Sequence, residues 1–422
     1  MAGRQAGRPI ALGVRENWRQ IALLVAINAF VGGMIGMERS VVPLLGEAEF
    51  GISSTTAVVS FIATFGLAKA ITNLFAGTLS ERLTRRRVLM AGWVVAIPVP
   101  LMLIWAPNWG WVIGANLLLG VNQGLAWSMT VNMKMDLAGP KQRGFVLGLN
   151  EAAGYVAVAA AAYLTGVIAE QYGLRPEPFY LGIALAAGGL ALTALVRDTR
   201  PFVAMESDEH ASGPPPPSLR RTFADVTWRR PRLFGASQAG FVNNLNDGLA
   251  WGILPLFFFS RGLDLGQIGI LAAAYPFVWG VLQLGTGWAS DIVGRKPAIV
   301  GGLLLQAGAI AMIAIVGSFS GWLVAVVLLG VGTALVYPTL IAAIGDEVHP
   351  EERATSVGVY RFWRDGGFVA GALGAGAVAD LLGFEQAIYA VAALTAASAI
   401  IAAATLRGSR PAPAPALSEV LT

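Results

Sequence analysis

Eight ionisable residues interrupt long apolar stretches of the sequence: Glu38, Arg39, Lys69, Glu151, Asp247, Arg361, Arg364 and Asp365. A charge in such a stretch is costly, so it marks a path for a proton, an ion or a polar ligand. Arg39, Lys69, Arg361 and Arg364 are cations, the natural partners of carboxylate, phosphate or sulfonate groups. The other four are carboxylates, so the sum is neutral. A neutral sum permits an anionic ligand that displaces an internal carboxylate, or a proton that neutralises one. Desolvation favours the protonated form of a carboxylate, which makes Glu38 and Asp247 candidate proton carriers, together with Glu151 and Asp365. Asn243, Asn244 and Asn246 crowd ahead of Asp247, as suits a hydrated cavity. Trp127, Trp251, Trp279 and Trp363 offer ring faces for a ligand or for helix packing. Arg39, Lys69, Asn243, Asn246, Arg361, Trp363 and Arg364 are therefore the candidate ligand-binding set.

Other chemistries find no support. The 422-residue chain has no cysteine, and its two histidines, His210 and His349, lie in polar segments, so neither a thiolate site nor a histidine-rich metal site is expected. No phosphate-binding glycine loop followed by lysine and no nucleophile–histidine pair appears. Neither enzymatic activity nor a cofactor is expected.

The elements that must position these residues are membrane helices. Hydrophobic residues make up 55% of the chain and charged residues 13%, against roughly 25% charged in soluble domains. Runs of the ~20 apolar residues needed to cross a bilayer fall at 20–45, 54–80, 87–106, 109–135, 143–170 and 178–197. Six more fall at 233–260, 265–290, 297–318, 321–345, 354–380 and 385–407. The expected organisation is an all-α membrane protein: a basic lead-in (1–19), a six-helix bundle (20–197), a flexible linker (198–232), a second bundle (233–407) and a tail (408–422). Arginine and lysine collect on alternate loops: Arg82 to Arg87, Lys141 to Arg143, the linker, Arg295-Lys296 and Arg353. That bias puts both termini in the cytoplasm. The net charge of +4 is thus a topology signal rather than a sign of nucleic acid. Depth follows at about 1.5 Å per residue. Lys69, twelve residues before Glu81, lies roughly 18 Å in. Asp365 reaches a similar depth, and an Arg361–Asp365 pair one helical turn apart is expected.

The chain repeats itself at an offset of 210 residues. Gly77, Glu81, Arg85, Arg86, Asp136, Pro140 and Arg143 fall on Gly287, Asp291, Arg295, Lys296, Asp346, Pro350 and Arg353. Two parallel six-helix halves follow, with a binding site expected at their interface near the midplane.

Over essentially its whole length the sequence resembles the major facilitator superfamily. That family carries a G-x-L-x-D-R-x-G-R-[KR] loop after its second helix. Here it reads Gly77-Thr-Leu79-Ser-Glu81-Arg82-Leu-Thr84-Arg85-Arg86, with a second copy from Gly287 to Lys296. The resemblance implies a twelve-helix fold in two pseudo-symmetric bundles whose second and eleventh helices are neighbours across the halves, so that Lys69 and Asp365, at similar depth, are expected to pair. It also implies a gate that latches the halves on the cytoplasmic side, built from Glu81, Arg82, Arg85, Asp291 and Arg295 with Asp136, Arg143, Asp346 and Arg353. Two motifs of proton-driven drug antiporters are missing. Gly120 precedes Val121-Asn122-Gln123-Gly124 where an arginine is usual, and Ala160 to Gly166 replaces the G-P-x-x-G-G turn. The expected function is alternating-access transport of a small polar, anionic organic solute, coupled to protons, by a monomer in the plasma (inner) membrane. Export of amphipathic compounds is the alternative, and a transporter-like receptor the alternative outside transport.

Overall fold

The computed structural model describes residues 11–139, 142–202, 218–348 and 350–407, and among them every regular element is a helix. Ten helical segments are long and apolar enough to cross a membrane. The fourth span, Trp109–Ala138, and the seventh, Pro231–Ser260, complete twelve. These two are the polar ones. Asn116, Asn122, Gln123 and Lys134 on the fourth and Asn243 to Asp247 on the seventh are buried in the protein, away from lipid.

Two spans break where proline dictates. A proline has no N–H and clashes with the carbonyl four residues back. The first helix, Trp18–Arg39, stops four residues before Pro43 and resumes as Val42–Ala48. The seventh span loosens into a π-turn at Leu249–Ile253 just ahead of Pro255. Both breaks place charged residues, Glu38-Arg39 and Asp247, beside an irregular stretch of backbone.

The halves meet along two helix pairs, the second span (Thr55–Arg82) with the eleventh (Pro350–Leu382), and the fifth (Arg143–Tyr172) with the eighth (Leu265–Val293). The first and last described residues and the described part of the linker lie at one end of the bundle, the terminal end. Gly13 N–H donates to the Leu137 carbonyl there, and Gly235 packs on Thr405. At the far end the halves are in close contact. A Cβ on Gly166 would stand 2.7 Å from the Gly269 backbone, and one on Gly376 2.9 Å from that of Thr56. Five helical turns along the same faces, towards the terminal end, a Cβ on Gly148 would reach only a carbonyl at 4.0 Å, and Gly287 and Gly358 face open space. The molecule is closed at the far end and open at the terminal end.

Part of the linker departs from the flexible segment expected. Leu219–Ala224 is helical and continues as a π-turn, Asp225–Arg229. Thr222, Ala224 and Val226 are buried against the second half, so an apolar face holds it in place.

Candidate functional site

Midway along the second and eleventh spans, Lys69 Nζ stands 4.0 Å from Asp365 Oδ1, the expected pair across the halves. Asn73, one turn on from Lys69, donates to the other oxygen at 2.6 Å and accepts from Ser128 at 2.9 Å. Asp365 also takes two bonds from Arg364, at 2.7 and 3.1 Å. The expected Arg361–Asp365 pair is not formed. Arg364, Lys69 and Asn73 already surround Asp365, and Arg361, half-buried, makes no ion pair among the described residues.

The 210-residue offset maps Lys69 onto Trp279 and Tyr155 onto Asp365. Tyr155 and Trp279 occupy the other crossing, stacked with centroids 3.6 Å apart. The fold therefore uses one contact position twice, once as an ion pair and once as an aromatic stack. Only the ionic crossing can exchange partners with a charged ligand or a proton.

Glu151 joins the two crossings. Its Oε1 accepts from Trp127 Nε1 at 2.8 Å and its Oε2 from the Tyr337 hydroxyl at 3.2 Å. Trp127 and Tyr337 are themselves repeat partners. The Tyr337 oxygen in turn accepts from Arg364 at 2.6 Å. A polar chain thus runs from Glu151 in the first half through Tyr337, Arg364 and Asp365 to Lys69 and Asn73, back in the first half. It crosses the interface twice.

On the far-end side, aromatic rings close the cavity. Phe368 stacks on Trp251 at 5.5 Å and meets Phe65 edge-on at 6.0 Å. Arg39 and Lys69 both face Phe65, at 5.0 and 5.7 Å from its centroid, and Trp251 lies 4.7 Å from Arg39. Arg39 is fully buried, yet none of its three side-chain nitrogens donates a hydrogen bond. Glu38, the preceding residue, is fully buried beside Asn116 and makes no ion pair with Arg39 among the described residues. Asp247 accepts from Tyr275 through one oxygen and leaves the other free.

Lys134, absent from the expected set, is also buried, with one bond to the Leu24 carbonyl at 3.3 Å. It lies within the expected fourth span, 109–135, two residues from Asp136. By residue type, five buried or half-buried cations then stand among four carboxylates.

Other expected residues lie elsewhere. Asn243 and Asn246 bond Gln306 at 3.0 and 2.8 Å, and Asn246 accepts from Thr395, all inside the second half. Trp363 sits about 200° around the helix from Asp365 and donates to Thr227 on the linker turn at 3.0 Å. Of the gate residues, Arg85 pairs with Asp136, and Arg295 with Asp346 at 3.2 Å. These are repeat-related pairs, each within its own half. Arg82 is exposed and Arg143 opens the fifth span. The side chains of Glu81, Asp291 and Arg353 lie outside the described residues. Thr84 departs from the motif's glycine and instead caps the next helix through its hydroxyl. Its counterpart Gly294 has φ 99°, a conformation that suits glycine.

The far end carries a second repeat-related device. Asp380, on the eleventh span, accepts from Thr55 N–H (2.5 Å), Thr56 N–H (3.0 Å), Ser54 Oγ (2.8 Å) and Thr56 Oγ1 (2.7 Å). It thus caps the second span from the opposite half. Its counterpart Glu170 lies over the first turn of the eighth span, where Gly266 leaves room for it. That helix already has a carboxylate cap, Asp264, whereas the second has the neutral Ser54.

Residues 21–242, and again 236–420, match the Major Facilitator Superfamily. The chain belongs to that superfamily. It is 28% identical over 149 residues to the inner membrane transport protein YnfM of Escherichia coli (strain K12), a match spanning 35% of this chain and about a third, 36%, of that protein. It is 23% identical over 391 residues to the uncharacterized MFS-type transporter STM4428 of Salmonella typhimurium (strain LT2), covering 88% of this chain and 92% of the relative. In fold it is similar to a bacterial homolog of the human lysosomal transporter Spinster, solved in an inward-facing and unoccupied conformation. The TM-score is 0.69 at 14% identity, over 92% of this chain and 97% of that one. The superfamily member described here is a multi-pass membrane transporter with the twelve-helix, two-bundle architecture.

Proposed function

We propose that this transporter is a proton-coupled carrier of a small organic anion that works by alternating access. The observation that carries the reading is Arg39, a buried guanidinium with no partner for any nitrogen. Glu38 and Asp247 offset part of its charge and two ring faces meet it. Its N–H groups nevertheless have no acceptor, which is costly for buried donors, and a bound anion would supply the missing acceptor.

Lys69 and Arg364 share Asp365. An incoming carboxylate or sulfonate would take their donors, and Asp365, released, would accept a proton or bond Asn73 alone. Glu151, bridged to Arg364 through Tyr337, is placed to pass the change to the other crossing. Arg39 stands on the far side of the aromatic layer, where it would meet the anion when that side is open. Asp380 holds the far end shut. The basic loops at the terminal end support a cytoplasmic placement of that end, and a molecule open there would then be inward-facing. Phe65, Trp127 and Phe368 stand 5.3–5.9 Å from Lys69, which favours an anion with an apolar body. That lining also suits the exporter of amphipathic compounds.

A thermal-shift screen of organic acids, sugars, amino acids and cationic dyes tests the assignment. Stabilisation by acids that is lost in Lys69→Gln and Arg39→Gln is expected. Stabilisation by cationic dyes alone would move the assignment to the exporter.

A further inference from the structure

We propose that the helix joining the two halves and the groove beside it form a binding site for one anionic phospholipid. The joining helix has two faces. Thr222, Ala224 and Val226 hold it to the second half, whereas Leu219 and Trp228 are each 62% exposed beside Arg220, Arg221 and Arg229. Exposed tryptophan and leucine among arginines, next to a membrane span, are the composition of a segment lying in the headgroup layer.

The arginines of this region are not equally engaged. Arg232 pairs with Glu347 at 2.9 Å, Arg230 with Glu352 at 3.7 Å and Arg221 with Asp225 at 3.9 Å. Arg220 and Arg229 make no ion pair among the described residues. Among the described residues five cations face three carboxylates, and Arg220 and Arg229 are the two left without one.

Directly beneath the turn is a groove of about 240 Å³ walled by Phe234, Phe241, Val242 and Trp363. From Phe234 to Val242 it runs about 12 Å along the seventh span into the bilayer. Trp363 points away from the crossing at Asp365, so the groove lies on the lipid flank and is separate from the substrate centre. Ser237 lines it, is buried, and its hydroxyl has no partner. A lipid satisfies all three features at once: an acyl chain for the apolar wall, an ester oxygen for Ser237 and a phosphate for Arg220 and Arg229. Because Trp363 bonds Thr227, the lipid would touch both the joining helix and the eleventh span.

The test is thermal unfolding of the purified full-length protein in neutral detergent. It is titrated with phosphatidylglycerol, phosphatidylcholine or inorganic phosphate. Phosphatidylglycerol alone is expected to raise the unfolding temperature saturably. Arg220→Gln/Arg229→Gln should weaken its half-saturation about tenfold or more, each arginine near the surface being worth about fivefold. Val242→Trp, which fills the groove with the charges intact, should abolish saturation. Ser237→Ala, the mildest change, should weaken it a few-fold. Equal effects of both lipids, or an unchanged response in the double glutamine variant, would overturn the proposal, and a response to phosphate alone would leave an ion site without a lipid. The readout involves no transport, so its failure leaves the carrier assignment untouched.

Discussion

Replacing Asp380 with asparagine should tip the carrier towards a state open at its far end. The carboxylate accepts four hydrogen bonds from the start of the second span, two of them from backbone N–H groups that no helical carbonyl can reach. Asparagine keeps one acceptor oxygen and turns an NH₂ towards donors. Hydrogen bonds to a charged group are worth about 1 kcal/mol more than neutral ones, and a charge at a helix N-terminus adds about 0.3–1 kcal/mol. Asp380 is exposed, so screening trims the total to about 1–2 kcal/mol, roughly a 5- to 30-fold shift in the ratio of far-end-open to far-end-closed molecules. The chain has no cysteine, so spin labels on Ala48→Cys and Leu381→Cys, both exposed at the far end, report that ratio without background. Asp380→Asn should add a longer distance to the distribution. Glu170→Gln should do so less, because Asp264 already caps its helix. An unchanged distribution for Asp380→Asn, or a larger effect from Glu170→Gln, would refute the reasoning.

Three further outcomes follow from the same contacts. Asp365→Asn should abolish most transport, since it strands the buried Lys69 and Arg364 charges at a cost of about 3–5 kcal/mol, and Lys69→Gln should lower transport less, because Asp365 keeps Arg364 and Asn73. The double variant should retain more flux than either, and additive losses would count against the pair. Glu151→Gln should abolish flux driven by a pH gradient while sparing anion exchange between equal pH, which counterflow measures directly. Gly294→Ala should lower stability by about 1–2 kcal/mol through its left-handed backbone, against little change for Thr84→Ser, read by denaturant unfolding.

Much of the architecture was legible because bilayer thickness and the 210-residue repeat are both one-dimensional signals. The Lys69–Asp365 pair followed from similar depth together with the adjacent second and eleventh helices that the resemblance implies. The intrahelical Arg361–Asp365 pair failed because spacing says which residues share a face but not what occupies the opposite wall, here Arg364, Lys69 and Asn73. Asn243 and Asn246 misled for a related reason, since helix-backing contacts to Gln306 and Thr395 need polar residues as much as a cavity does. Lys134 stands outside the expected set although its position falls in the expected fourth span. Tyr337 was within reach of the sequence, because the repeat carries Trp127 onto it and both bond Glu151. The joining helix was masked by the proline run beside it, although Phe223, Ala224 and Val226 supply an apolar face.

Flux of a radiolabelled organic acid into proteoliposomes, with and without an imposed pH gradient, tests the central claim most directly. Uptake should be accelerated by a gradient, saturate with the acid, and fall severalfold or more in Arg39→Gln and Lys69→Gln. Flux that ignores the gradient and both substitutions, or the absence of flux for every acid that binds, would contradict a proton-coupled anion carrier built on this cationic centre.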